Sequence, residues 1–204
     1  MAENNYVCLS GVISEECVFS HEVYGEGFYI FKTEVKRLSE NEDILPVTVS
    51  ERLIDINSLK RGMTVNVMGQ MRSYNHYSSK KNKLILTTFA KEIEIGEDIL
   101  ANPNEIFLNG FICKTPVYRT TPFGREITDL LIAVNRSYGK SDYIPCIAWG
   151  RNAKFAGGLE VGNNIEIWGR VQSRNYQKKL ENDEIEERTA YEVSISKIDL
   201  IDRR

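Results

Sequence analysis

Long apolar runs are what this sequence most lacks: no stretch approaches the roughly 20 consecutive apolar residues that cross a bilayer, which excludes a helical membrane protein. Histidine and cysteine are scarce too. The two histidines, His21 and His76, and the four cysteines, Cys8, Cys17, Cys113 and Cys146, include no CxxC pair, so no zinc site and no metal cofactor are expected. Cys8 and Cys146 lie in alternating apolar runs and read as small buried side chains. Phosphate-binding loops are missing as well. Gly139-Lys140-Ser141 looks like the end of one, but Val134 stands where its first glycine is required, and Gly25 and Gly27 are followed by Ile30 instead of the third glycine of a dinucleotide fingerprint. No His-Ser-Asp or Cys-His grouping stands out, so no enzyme activity and no cofactor are predicted. The opening residues, MAENNYV, lack the basic region and apolar segment of a secretory signal, which predicts a cytosolic chain with reduced thiols. Charge of one sign is also weak: residues 1–102 hold 11 Lys and Arg against 15 Asp and Glu, and residues 103–204 hold 15 against 14. An anionic partner is therefore repelled less by the second half.

What the chain does contain is a repeat. Gly62 to His76, GMTVNVMGQMRSYNH, slides onto Gly162 to Tyr176, GNNIEIWGRVQSRNY, superposing Gly62 on Gly162, Gly69 on Gly169, Ser73 on Ser173 and Asn75 on Asn175. At an offset of 99, Val7, Leu9, Gly11, Val18, Val35, Arg37 and Pro46 fall on Ile106, Leu108, Gly110, Val117, Val134, Arg136 and Pro145; one inserted residue then raises the offset to 100. Internal repeats govern every later inference, and here they divide the chain into residues 1–98 and 104–204 with a linker over 99–103. In the first half, β-branched and aromatic residues predict strands at Tyr6 to Ile13, Phe28 to Arg37, Ile44 to Val49, Thr64 to Tyr74 and Lys83 to Ile95. Ser50 to Leu59 carries a capping serine and Leu53, Ile56 and Leu59 at helical spacing, so a short helix is predicted there. Each half thus reads β-β-β-short helix-β-β, the element order of an OB-fold, a five-stranded Greek-key barrel; the predicted fold is all-β, two in tandem.

Four stretches go further. Asn104 to Ile112 (NEIFLNGFI), Leu131 to Arg136 (LIAVNR), Tyr143 to Gly150 (YIPCIAWG) and Gly169 to Tyr176 (GRVQSRNY) resemble, in order and spacing, the bacterial single-stranded DNA-binding protein family. The resemblance covers nearly all of residues 104–200, while residues 5–95 carry it mainly through the repeat. It implies OB-folds that bind single-stranded DNA without strong sequence preference, as assemblies presenting four such folds, hence a homodimer of this chain, nucleoid-associated and working with replication, repair or recombination proteins. Family members often carry an acidic, aromatic-tipped tail that recruits such proteins; this sequence stops at Ile201-Asp202-Arg203-Arg204, so recruitment by that route is not expected. Two other readings stay open: a primosome-type OB module that docks proteins and binds DNA weakly, and a binder of single-stranded RNA.

An unpaired strand offers phosphates outside and base faces that aromatics stack upon, so a binder needs cations and exposed aromatics interleaved. Alternation turns Ile144, Cys146 and Ala148 to the core with Leu45, Val47 and Val49, and turns Tyr143, Pro145, Ile147 and Trp149 outward. In the family, the positions of Tyr143, Trp149 and Tyr176 carry base-stacking aromatics, and that of Arg136 often carries a strand-contacting arginine. The first repeat has Ile44 and Ser50 in place of Tyr143 and Trp149, and keeps only a hairpin with Tyr74, His76, Tyr77, Arg72 and Lys81. The second repeat is therefore expected to contribute more. Arg170 and Arg174 alternate along its hairpin and suit phosphates; Trp168 shares their outward face and reads equally as stacking residue or interface filler. Phe107 and Phe111 flank Asn109 on the first strand of repeat two, read here as an edge strand, and are expected to form the interface between copies. The acidic run from Glu181 to Glu187 has no functional account.

Overall fold

The computed structural model describes residues 4–37, 39, 41–78, 81–179 and 185–201; the side chains of 75–83 and 178–179 lie outside that description, and with them the expectations placed on His76, Tyr77 and Lys81, as does most of the acidic run. Repeat one consists of β1 (Asn5–Val23), β2 (Glu26–Lys36), β3 (Glu42–Ser50), β4 (Thr64–Ser78) and β5 (Lys81–Gly96). Repeat two consists of β6 (Asn104–Ile112), β7 (Val117–Thr120), β8 (Glu126–Asn135), β9 (Ser141–Trp149), helix α1 (Arg151–Gly157), β10 (Asn164–Lys179) and β11 (Ile185–Leu200). Among the described residues all strands join one sheet in the order β2-β3-β5-β4-β1-β6-β10-β11-β9-β8-β7, and the extra pairings β1 with β2 and β6 with β8 close it into two barrels. These are the two OB-folds that the repeated element order predicts. In each, one parallel pair, β3 with β5 and β9 with β11, completes the closure.

The inward residues are those the alternation selects. Leu45, Val47, Val49, Ile144, Cys146 and Ala148 are all buried, and with Val65, Val67, Ile165 and Ile167 they belong to one contiguous apolar cluster running through both repeats. Burying side chains of that size yields about 1.5–3 kcal/mol each, the main term that holds such barrels. Cys8 and Cys146 are buried, as expected, and all four thiols are free. Burial pushes the Cys17 thiol up to about 11 and the Cys146 thiol well above its usual value, which leaves neither a nucleophile at neutral pH.

Two expectations fail locally. The predicted helix over Ser50 to Leu59 is a turn followed by a single 3-10 turn at Ile56–Ser58, capped by Asp55 Oδ1 accepting from Asn57 N–H at 3.0 Å. Ile54 and Ile56 are β-branched, and Asp55 and Asn57 compete for backbone bonds; at the matching place in repeat two, Ala153 and Ala156 let α1 form and bury themselves. Likewise β1 runs ten residues past Ile13, in a hairpin with β2 whose polar sequence gave no strand signal; it turns at Tyr24 and Gly25, both at positive φ.

The repeated Gly69 and Gly169 each stand at a β-bulge. Beside each, the partner strand carries an extra residue, Lys91 or Ser196, and a Cβ would stand 2.1 Å from the carbonyl oxygen of Phe89 or Ser194. No side chain fits there, which is why the motif keeps glycine in both copies.

The joint between the repeats is a ladder. Asn5 to Leu9 of β1 pairs antiparallel with Leu108 to Asn104 of β6. The sequence reading treats β6 as an edge strand, and this is corrected: β6 lies between β1 and β10, because the tandem chain supplies its own matching strand. The linker is folded back on β1, with Ser10 N–H donating to Pro103 O at 2.8 Å and Leu100 N–H to Ser10 Oγ at 2.9 Å.

Candidate nucleic-acid interface

Beyond the β1–β6 ladder the two barrels meet again, twice, by the same device. Asp43 in β3 has a fully buried carboxylate that accepts from Arg37 Nε and Nη2 at 2.7 and 2.6 Å and from Ser173 N–H of β10 at 2.7 Å. Asp142 in β9, equally buried, accepts from Arg136 Nε at 2.6 Å, from Arg136 Nη2, and from Ser73 N–H of β4 at 2.6 Å. The hydroxyls match as well: Ser73 Oγ accepts from Tyr143 N–H at 2.7 Å, and Ser173 Oγ from Ile44 N–H at 3.3 Å. The repeats are therefore clasped about an internal pseudo-two-fold, with the end of one hairpin arm seated on the third strand of the other barrel.

An open groove of about 460 Å³ lies beside the clasp on repeat two. Its walls carry Trp149 from the end of β9, Arg170 and Arg174 from β10, Arg125 from the β7–β8 turn and Arg37 from repeat one, against Glu192 of β11. Trp149 is 37% exposed, and its indole N–H donates to Ser194 Oγ at 3.2 Å, a bond that ties the ring to β11 while part of it stays exposed. Arg174 Nε lies 3.8 Å from Glu192, and its guanidinium stands 5.8 Å over the Tyr176 ring, a cation–π contact on the exposed hairpin arm. Burial, and next the neighbouring Arg37 charge, pull Arg170 below the usual arginine range, while Asp43 acts in the opposite sense. Tyr143 is exposed at the start of β9, on the same face as Trp149 but six residues earlier, about 20 Å away at strand spacing.

The matching groove on repeat one, about 670 Å³, holds Arg72, Tyr74, Phe89, His21 and Arg136. Repeat one lacks the Trp149 equivalent: Ser50 is buried and bonded to Glu26. Instead His21 stacks on Phe28 at 5.0 Å, and Phe28 contacts Phe89 at 5.7 Å, an aromatic set on other strands that the family positions do not point to.

The remaining expected residues gather elsewhere. Trp168 shares its strand parity with Arg170, but the bulge at Ser196 bends the sheet between them, and Trp168 lies away from the groove against Phe107 (5.1 Å between rings) with Lys197 Nζ 4.1 Å from its ring centroid. Tyr6 of β1 faces Phe107 across the ladder, so these aromatics form one patch on the outer face of the joined sheet. Phe111 lies four residues further along β6, beside Asn164 of β10. Arg72 and Arg136, expected as strand contacts, are tied to Asp142 while also lining the repeat-one groove. Sequence reasoning missed Arg37, Arg125, His21 and Phe89 as groove residues. Arg37 alone carried a signal, since it falls on Arg136 in the repeat. Among the described residues no helix is long and apolar enough to cross a membrane, and no cluster of His, Cys, Asp or Glu could hold a metal ion.

The fold and grooves define a tandem OB-fold protein, two barrels clasped in one chain with a cationic, aromatic groove on each. Residues 103–201, nearly the whole of the second repeat, match the family described as "Single-strand binding protein family". Among curated relatives, single-stranded DNA-binding protein 1 of Staphylococcus aureus (strain COL) is 35% identical over 83 residues, covering 37% of this chain and 50% of that protein. Single-stranded DNA-binding protein A of Bacillus subtilis (strain 168) is 34% identical over 83 residues, covering 37% and 48%. The chain spans about half the length of the curated relatives it matches. The wild-type single-stranded DNA binding protein from Thermus aquaticus superposes with a TM-score of 0.75 over 98% of this chain and 94% of that one; at 19% identity this likeness concerns the fold, and it extends through both repeats. The resemblance to the bacterial family in tandem OB-fold form is thus borne out.

Proposed function

We propose that the protein binds single-stranded DNA without strong sequence preference and protects or organises it in replication, repair or recombination. The observation that carries this reading is the repeat-two groove, where a half-open Trp149 ring stands among four arginines in a chain whose net charge is −3. Bases stack on Trp149, Tyr176 and Tyr143, each worth about 1–3 kcal/mol, and phosphates run past Arg170 and Arg174. The names of the relatives support the same ligand. Residues 1–98 and 104–204 act as the two units joined by 99–103, and the repeat-one groove extends the site through Tyr74 and Arg72. No chemical step is required of any side chain.

Of the two tryptophans, Trp149 lines the groove and Trp168 the outer patch, so the Trp149 share of the intrinsic fluorescence reports the groove. Adding oligo(dT) at low salt is expected to quench it strongly, with a quench that fades as salt rises. No change at low salt would return the chain to the protein-docking reading, and a stronger response to oligo(U) than to oligo(dT) would favour RNA.

The patch of Tyr6, Phe107 and Trp168 joins two copies into a homodimer presenting four OB-folds, partnered face to face because the strand edge is already taken. Phe107→Asp is expected to lower the mass in solution to that of one chain. An unchanged mass would make the patch ordinary surface.

A further inference from the structure

The two buried carboxylates of the clasp each gather guanidinium groups from both repeats. Asp43 holds Arg37 of its own repeat and lies 3.6 Å from Nη1 of Arg170 in the other. Asp142 holds Arg136 of its own repeat and Nη1 of Arg72 in the other at 3.0 Å. Each groove consequently takes one of its cations from the opposite barrel: Arg37 lines the groove of Trp149, and Arg136 lines the groove of Tyr74.

Deepening the single-strand reading, on which it rests, we infer that Arg37 is a phosphate-contacting residue of the second repeat's groove, with Asp43 as the residue that positions it. The two barrels together, and not one OB-fold, then make up the binding unit.

Charge is the first argument. A carboxylate is neutralised by one guanidinium, yet each Asp has two, so each cluster keeps one surplus positive charge at the mouth of a groove. A clasp serving packing alone needs only one arginine, and the second is electrostatically costly: Arg37 helps to depress Arg170. Recurrence is the second argument. Repeat one reads Gln70-Met71-Arg72 where repeat two reads Arg170-Val171-Gln172, so glutamine and arginine have exchanged places. In both copies the pair is hydrogen-bonded, and in both the arginine still meets the opposite repeat's Asp. Preorganisation is the third. The bonds from Arg37 to Asp43, and to Ser173 O at 3.3 Å, already fix its fork, so little rotamer freedom is left to lose when an anion arrives. Nη1 is not part of those bonds.

The test is fluorescence anisotropy of a labelled oligothymidylate titrated with the full chain at several salt concentrations. The variant Arg37→Gln removes the cluster's surplus positive charge and leaves Asp43 facing Arg170, while the new amide keeps a donor toward the Asp43 carboxylate. It is expected to weaken binding about three- to tenfold and to reduce the slope of log K against log salt by about 0.7, the share of one phosphate on a single strand. Equal slopes for variant and wild type, with matching unfolding temperatures, would make Arg37 a structural tie and overturn the inference. Should that variant fail to fold, Arg37→Lys decides: it keeps the charge but loses the fork, and unchanged affinity overturns the inference in the same way. Absence of binding by the wild-type chain would instead refute the single-strand reading itself.

Discussion

Asp142→Ala is expected to destabilise the protein by about 3–5 kcal/mol, the cost of leaving buried partners of an ion pair uncompensated. The carboxylate is fully buried, accepts from Ser73 N–H at 2.6 Å and separates the guanidinium groups of Arg136 and Arg72. Without it, those two cations face each other at the joint between barrels, and the backbone N–H of Ser73, itself 7% exposed, loses its acceptor. Denaturant unfolding monitored by circular dichroism reads the loss. Asp129→Ala is the comparator, since the Arg119–Asp129 pair has side chains 51% and 41% exposed and its loss should cost less than about 1 kcal/mol. Similar losses for the two variants would show that the clasp does not hold the repeats together.

The second large effect concerns binding. Trp149→Ala is expected to weaken affinity for oligo(dT) by about 1–3 kcal/mol, or roughly 5- to 150-fold, with Tyr176→Ala close behind. Trp149 stands among the arginines with its indole pinned by Ser194, and Tyr176 stacks under the Arg174 guanidinium. Tyr74→Ala should cost less, because no tryptophan stands in its groove, where Ser50 is turned inward to Glu26. Equal losses for Tyr74 and Trp149 would refute the leading role of repeat two and shift attention to His21 and Phe89 as an independent stacking surface.

Much of this was legible in the chain. Period-two alternation fixes which side chains face a barrel core, so Ile144, Cys146 and Ala148 could be assigned inward and Trp149 outward without coordinates. The short helix of repeat one could not, because capping and spacing favoured it while Ile54, Ile56 and the Asp55 and Asn57 side chains opposed it, and the balance is small. The site was half legible. Residues on one hairpin, Arg170, Arg174 and Tyr176, follow from local pattern; Arg37 and Arg125 reach the same groove from elements far away in sequence, which pattern does not connect. A clue did exist: Asp43 falls on Asp142 and Ser73 on Ser173 at the repeat offsets, and an acid repeated on the inward-reading side of β3 and β9, in step with Leu45 and Ile144, needs a partner.

The sequence by itself determined the two OB-folds, their inward faces and the family resemblance of the second, because those depend on local periodicity and on the comparison of one half with the other. Only the tertiary structure decided that β6 pairs with β1 of the same chain, that Trp168 leaves the groove for the outer patch, and that each groove borrows a cation from its neighbour. Strand edges, bulge-driven bends and buried ion pairs are settled by which surfaces meet in space, and an offset of 99 residues brings the matching groups into the same chain without saying on which side of a barrel they will stand.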